Sequence, residues 1–292
     1  MTLNFDRSFD VTPGHSMQLS PLVRRVLCNN PSPFTFKGTN SFIVGQGEVA
    51  VIDPGPEDEA HLGALLEAVK GERVKAILVT HSHADHSPLA LRLQEKTQAP
   101  IYGFGPLAAR EADGPRLDAS IDHGFMPDRR LAHGAVVKGA GWTLEALHTP
   151  GHMSNHLCFA LKEENTLFAG DHVMAWATSV IAPPDGDMAD YMRALRLLLA
   201  RSEELYHPAH GPSSVNGRSL VRGYIAHRIM REAAILGRIR EGDRSIAKIV
   251  AALYADVDPR LHAAAAQSVS AHIAHLKQQG LVRGEDGYLS AA

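Results

Sequence analysis

Short apolar runs rich in β-branched residues alternate with helical patterns in the first part of the chain. The runs over 40–45 and 48–52 flank a Gly-Gln-Gly turn and predict a hairpin that ends at Asp53. A helix is predicted over about 57–70. The continuous apolar run over 74–80 is typical of a strand buried on both faces.

After this buried strand, Ser87 is predicted to cap a helix that has Pro88 in its first turn, where a missing N–H costs nothing. Further strands with turns are predicted over 99–104, 136–149 and 156–171. The alternation of strands and helices predicts an α/β sandwich.

From Asp190 onward the pattern becomes helical. Long helices are predicted over 192–205 and 223–241, and amphipathic helices over 244–257 and 263–280. Two short strands around a Glu-Asp-Gly turn follow, which completes the pattern of a winged helix. We therefore divide the chain into a catalytic domain, residues 1–215, and a linker helix with a winged-helix-like C-terminal domain, residues 216–292.

The composition is that of an ordinary globular protein, since 45% of the 292 residues are hydrophobic. No run approaches the roughly 20 apolar residues that span a bilayer, and the first residues do not resemble a secretion signal. The two cysteines have no metal-ligand spacing and form no disulfide framework. We therefore expect a cytoplasmic protein that does not contact a membrane.

Charge divides the chain into an acidic and a basic part. Residues 1–192 contain 15 Lys and Arg against 23 Asp and Glu, whereas residues 193–292 contain 14 against 9. The basic part can meet an anionic substrate or form a solvated helix face; its arginines are Arg218, Arg222, Arg228, Arg231, Arg238, Arg240 and Arg244. Lys277 is the only Lys or Arg in the helix over 263–280. Because phosphate contacts need several such residues, we expect this helix to pack, to form a homodimer or to wall the active site rather than to bind nucleic acid.

The candidate chemistry begins with the segment HSHADHS, residues 81–87, at the predicted end of the buried strand. In extended chain His81 and His83 project to one side, and the turn that follows lets Asp85 and His86 point to a neighbouring spot. This short segment can therefore supply two metals. Further ligand-type residues lie in turns or after apolar runs; they are His152, Asp171 and His210. Their nitrogen and carboxylate donors suit zinc first, with manganese or iron as alternatives.

This ordered set resembles the metallo-beta-lactamase superfamily, whose pattern is H-x-H-x-D-H followed by single His, Asp and His ligands. The resemblance implies an αββα sandwich and two divalent metal ions. It implies that His81, His83 and His152 hold one metal, that Asp85, His86 and His210 hold the other, and that Asp171 bridges them. The segment 30–55 and the basic C-terminal region look most like the beta-lactamase-like protein 2 group.

Differences from relatives narrow the function. The family usually has two glycines shortly after the motif, where this chain has Ser87-Pro88-Leu89, so the floor of the pocket is expected to differ. The zinc β-lactamases often carry Cys where Asp171 stands, which disfavours antibiotic hydrolysis, and flavodiiron relatives carry Glu where His83 stands, which disfavours redox chemistry. The large RNA-processing relatives insert a domain between the positions of Asp171 and His210, which only about forty residues separate here, so that nuclease subclass is excluded.

We therefore expect a dinuclear metal-dependent hydrolase whose nucleophile is a metal-bridging hydroxide, with Asp85 both binding metal and orienting that hydroxide. Two substrate classes remain open. One is single-stranded RNA, cut by an endoribonuclease-like phosphodiesterase; the other is a small ester, a thioester of the hydroxyacylglutathione type or a lactone. A Pro-Pro-Asp-Gly turn within residues 176–192 is expected to return the chain over the site, which makes Thr178, Ser179 and Asp187 candidates for substrate binding.

Overall fold

The computed structural model describes residues 3–107, 121–256 and 258–292. Its first sheet has seven strands in sequential order. They are β1 (Ser16–Gln18), β2 (Val23–Leu27), β3 (Asn40–Gln46), β4 (Glu48–Ile52), β5 (Arg73–Leu78), β6 (Ile101–Gly103) and β7 (Arg129–Arg130). Strands β3 and β4 form the predicted antiparallel hairpin, and β4, β5 and β6 run parallel.

The second sheet has five strands. They are β8 (Val136–Gly139), β9 (Trp142–His148), β10 (Leu157–Leu161), β11 (Thr166–Gly170) and β12 (Leu205–Pro208). Their order is β12-β11-β10-β9-β8, with β11 and β12 parallel and the other pairs antiparallel. The Trp142 indole joins the two sheets, since its side chain is buried and its Nε1 donates to the carbonyl of Glu48 at 2.7 Å.

Helices cover the outer faces of both sheets. On the first sheet lie α1 (Glu59–Ala68) and α2 (Leu89–Thr97), which bury Leu65 and Leu93 against its strands. On the second lie α3 (Met188–Leu199) and the start of α4 (Gly217–Arg240). A third apolar core lies between the sheets. These layers are the αββα sandwich expected from the sequence.

The C-terminal region forms a separate apolar core from the second half of α4, α5 (Ile246–Leu253), α6 (His262–Gln278) and the hairpin β13 (Val282–Arg283) and β14 (Ser290–Ala291). This is the predicted winged helix. Because Val221 packs on the second sheet and Ile239 in the C-terminal core, helix α4 belongs to both units. The boundary at residue 215 stays a prediction.

Ser87 does not cap α2 as predicted, because its hydroxyl donates to Asp122 at 2.7 Å and the cap position is Pro88. The arginines of the basic part were predicted either to meet an anionic substrate or to form a solvated helix face. Of these, Arg218 and Arg238 form ion pairs on the protein itself, and Arg231 and Arg244 donate to backbone carbonyls. Within the described residues, no helix is long and apolar enough to cross a membrane.

Candidate metal centre and active site

The seven residues singled out as metal ligands converge at one edge of the sandwich, where strands of both sheets end. The motif over 81–86 follows β5, and Asp171 and His210 follow the parallel strands β11 and β12. His152 lies in the connection between β9 and β10. The backbone N–H of Leu157 donates to the carbonyl of Thr80 at 2.7 Å, which holds the two sheets together beside the site.

The first group of ligand atoms comes from His81, His83, His152 and Asp171, and these atoms lie within 4.8 Å of one another. Nδ1 of His83 is 2.9 Å from Nε2 of His81 and 3.1 Å from Nε2 of His152. The second group, Asp85, His86 and His210, is equally compact. Oδ2 of Asp85 lies 3.2 Å from Nε2 of His210 and 3.4 Å from Nε2 of His86.

Asp171 lies between the two groups. Its Oδ2 is 3.6 Å from Nε2 of His152, whereas its Oδ1 is 3.3 Å from Nε2 of His210 and 3.7 Å from Nε2 of His86. One carboxylate oxygen therefore faces each group. This is the placement expected of a bridging ligand.

Neighbouring groups fix the outward-facing nitrogens of four of the five candidate ligand histidines. Each of these Nδ1 atoms lies within 3.1 Å of an oxygen: His81 meets Thr80 Oγ1, His86 meets Asp53 Oδ2, His152 meets the carbonyl of Val180, and His210 meets the carbonyl of Gly38. Nε2 is thereby directed inward in all four rings. Such outer contacts fix the tautomer and orientation of metal-binding imidazoles.

The electrostatics and the unsatisfied atoms of the site fit divalent metal ions. Burial lowers the pKa of His83 to about 3, which keeps its imidazole neutral and its lone pair free. Burial alone would lower the pKa of His210, but Asp171 and Asp85 raise it to about 10. These two carboxylates therefore stabilise positive charge at this point of the site. Among the described residues, the buried atoms His86 Nε2 and Asp171 Oδ1 have no hydrogen-bond partner. A metal ion would satisfy both atoms.

An open cavity gives access to the ligands, with an empty volume of about 740 Å³ that includes the part open to solvent. Its ligand-type lining is His83, Asp85, His152, Asp171 and His210; the rest is Phe34, Met153, Met174, Val180, Ala182, Asp185, Ala264 and Gln267. Ala264 and Gln267 belong to α6, so the winged helix forms part of the wall. The sequence had left this role open beside packing and dimer formation.

The three residues proposed to bind substrate have other surroundings. None of Thr178, Ser179 and Asp187 is in the described cavity lining, although Val180, Ala182 and Asp185 of the same loop are. The Ser179 side chain is buried, with its hydroxyl oxygen 2.5 Å from the backbone carbonyl of Asp171 and 2.9 Å from that of His172. The Asp187 carboxylate caps α3. The loop returns over the site as expected, but with different residues facing the cavity.

Asp53 shapes the site although the sequence pattern indicated no role for it there. Asp53 directly follows β4, accepts hydrogen bonds from the N–H and hydroxyl of Thr80, at 2.7 and 2.8 Å, and contacts His86. The parallel pairing of β4 and β5 brings it there, so its position after an apolar strand was a usable signal. His156 also contacts the site, since its Nε2 accepts a hydrogen bond from the backbone N–H of Asp171 at 3.2 Å.

The αββα sandwich and the cluster of His and Asp side chains at its edge define the class of this protein as an αββα protein with a candidate metal centre. A family model described as the metallo-beta-lactamase superfamily matches residues 34–210, and a beta-lactamase associated winged helix domain matches residues 245–288. The chain therefore belongs to the metallo-beta-lactamase superfamily, whose members are generally hydrolases with metal sites.

Two relatives and one solved structure make the comparison more specific. The chain is 32% identical to the beta-lactamase-like protein 2 homolog of Drosophila melanogaster, over 91% of each protein. It is also 32% identical to the atrochrysone carboxyl ACP thioesterase AgnL7 of Paecilomyces divaricatus, over 82% of this chain and 72% of that protein. A metallo-beta-lactamase family protein from Thermus thermophilus has the same fold, with a TM-score of 0.78 and 24% identity over 94% of this chain and all of that one. These matches confirm the fold and the resemblance to the beta-lactamase-like protein 2 group.

Proposed function

We propose that this chain is a dinuclear zinc-dependent hydrolase that cleaves thioesters or esters with an apolar acyl group. One observation carries the choice of substrate: six apolar residues wall the cavity beside the ligand atoms, namely Phe34, Met153, Met174, Val180, Ala182 and Ala264. Apolar walls with a few placed polar groups are typical of sites for small organic ligands. The thioesterase activity named for the Paecilomyces divaricatus relative supports the same substrate class.

The charges around the cavity disfavour single-stranded RNA, the other substrate class expected from the sequence. Binding of an RNA backbone relies on Lys and Arg contacts to phosphates. Among the described residues that line the cavity, none is Lys or Arg, and Asp185 adds negative charge beyond the candidate ligands. Arg228, in the middle of the basic helix, is only 3% exposed.

The proposed metal ligands are His81, His83 and His152 for one ion and Asp85, His86 and His210 for the other, with Asp171 shared. Bound divalent metals supply an acidified water and polarise the scissile carbonyl. Asp85 is a ligand whose side chain is 19% exposed and lines the cavity, so its carboxylate is in reach of a water there and can accept its hydrogen bond. Phe34 and Met174 would exclude bulk water around the acyl chain.

The polar side chains of the cavity lining other than the proposed ligands would orient the remainder of the substrate. The Asp185 carboxylate is itself fixed, since it accepts from the N–H and the hydroxyl of Ser154 at 2.7 Å each. Gln267 brings an amide from α6 that can donate to or accept from a carbonyl-containing substrate. The C-terminal domain therefore takes part in substrate selection.

The test compares substrates on protein loaded with zinc and, separately, with manganese. The panel contains thioesters of increasing acyl length, a lactone series and single-stranded RNA, each measured with and without a chelator. We expect thioester cleavage with kcat/KM rising with acyl length, and loss of activity with the chelator. Val180→Thr keeps the shape of a wall residue but adds a hydroxyl, and we expect it to flatten the dependence on acyl length. Cleavage of RNA in preference to every thioester would refute the proposal.

A further inference from the structure

Side chains from two helices hold the segment 171–180, which follows β11 and covers one side of the site. The Tyr191 hydroxyl of α3 donates to the carbonyl of His172 at 2.7 Å. From α4, the Tyr224 hydroxyl donates to the carbonyl of Met174 at 2.8 Å, and Nη2 of Arg228 donates to the carbonyl of Ser179. Tyr224 and Arg228 are four residues apart and so lie on one face of α4. All three side chains are buried.

Groups adjoining the carbonyl that Arg228 holds contact two candidate metal ligands. The neighbouring carbonyl, of Val180, lies 2.6 Å from Nδ1 of His152. The hydroxyl of Ser179 donates to the backbone carbonyl of Asp171 at 2.5 Å. The Val180 carbonyl therefore orients one histidine of the first group, and the Ser179 hydroxyl supports the backbone of Asp171, the candidate bridging ligand.

We propose that Arg228 is a positioning residue for the metal centre, through which the linker helix α4 sets the metal affinity of the catalytic domain. The proposal rests on the dinuclear centre proposed above. It follows from the chain of contacts: Arg228 fixes the Ser179 carbonyl, the adjoining Val180 carbonyl fixes the His152 ring, and a fixed ring keeps Nε2 directed inward. Groups that orient metal-binding histidines typically change metal affinity about 10- to 100-fold when they are removed.

A purely structural role for Arg228 predicts a different outcome. Its guanidinium lies 5.3 Å from the centre of the Tyr191 ring, and its Nε is buried without a hydrogen-bond partner among the described residues. Burying an incompletely satisfied cation is costly, so an apolar side chain of similar length can be tolerated by the fold. Loss of metal affinity without loss of folding would thus separate positioning from packing.

The experiment measures zinc affinity by competition with a chelator, and the visible absorption spectrum of the cobalt-loaded protein, which reports ligand geometry. We expect Arg228→Met to weaken zinc binding about 10- to 100-fold and to alter the cobalt spectrum. Arg228→Lys keeps the charge and one donor and should restore part of the affinity. The matched control is Arg231→Met on the same helix, since Arg231 donates to the carbonyl of Leu253 and lies 4.3 Å from the centre of the Tyr254 ring.

A second control separates affinity from stability. Val269→Ala removes volume from the fully buried core of the winged helix without changing the segment 171–180, and should lower Tm while zinc affinity and the cobalt spectrum stay as in the wild type. If Arg228→Met fails to fold, Arg228→Lys and Tyr224→Phe carry the test. Unchanged zinc affinity in the folded Arg228 variants, beside a wild type that binds zinc, would overturn the inference alone. A wild type that binds no metal would overturn the proposed centre and this inference together.

Discussion

Asp53→Asn tests how strongly the surroundings of the ligands control the metal centre. Asp53 is 2% exposed, and its carboxylate accepts three contacts: the N–H of Thr80 on Oδ1, and the Thr80 hydroxyl and His86 Nδ1 on Oδ2. Asparagine has nearly the same shape, but its NH2 group cannot accept a hydrogen bond. Whichever way the amide is turned, at least one buried donor loses its acceptor.

The expected magnitude follows from that count. One unsatisfied buried donor costs about 1–3 kcal/mol, and more where the acceptor was charged. If the NH2 group faces His86, the imidazole is driven to the tautomer that protonates Nε2, the atom directed at the metal. We therefore expect zinc affinity to fall about 10- to 100-fold and the free energy of unfolding of the metal-free protein to fall by about 1–3 kcal/mol.

Two assays are needed for this variant: chelator competition for zinc and urea unfolding of the metal-free protein. The matched control is Asp58→Asn, which makes the same chemical change at the N-cap of α1, where the side chain accepts from the N–H of His61. Asparagine and aspartate are about equally good caps, so neither quantity should change appreciably. Wild-type zinc affinity in Asp53→Asn would refute the idea that this carboxylate orients His86.

The remaining predictions concern the ligands and a buried histidine. Asp171→Ala should lower occupancy of at least one metal, measured by mass spectrometry, and abolish hydrolysis with the fold kept; two metals with normal turnover would contradict the bridge. Asp85→Asn should lower kcat about 100-fold or more with KM changed far less, in steady-state kinetics at verified metal content; a rise in KM alone would make Asp85 a substrate-binding residue. Burial lowers the pKa of His207 to about 3, so as pH falls below about 6.5 the unfolded chain binds a proton that the folded chain does not. The free energy of unfolding therefore keeps the whole contribution of His207 above pH 6.5 and loses about 1.4 kcal/mol of it per pH unit between about 6.5 and about 3. Urea unfolding at several pH values should show a smaller slope over this range in His207→Gln.

The candidate metal ligands were predictable in two steps. The local pattern marked them as ligand-type residues, because the motif over 81–86 follows a strongly apolar strand and the others lie in turns or after apolar runs, and the resemblance to the metallo-beta-lactamase superfamily implied that they share one site. The pattern could not show which of several neighbouring loop residues face the cavity. The turn over 176–192 was correctly placed over the site, yet Ser179 faces inward to backbone carbonyls while Val180 lines the cavity.

Contacts between elements that are distant in sequence were also not predictable from the sequence. Helix 223–241 was predicted, and its arginines were expected either to meet an anionic substrate or to face solvent. The structure buries Arg228 against the segment 171–180, which depends on the rotation of α4 about its axis. Periodicity predicts that rotation poorly here, because α4 packs against the second sheet with its first half and against the winged helix with its second half.

This double packing has a consequence for how the two parts of the chain act together. Through Arg228, helix α4 holds the Ser179 carbonyl beside the candidate metal centre, and the winged helix that it carries places Gln267 in the cavity wall. A shift of α4 relative to the second sheet would therefore change ligand geometry and cavity shape at once. We expect substitutions that alter substrate preference through α6 to alter metal affinity as well whenever they move α4, whereas substitutions confined to the Gln267 side chain should change substrate preference alone.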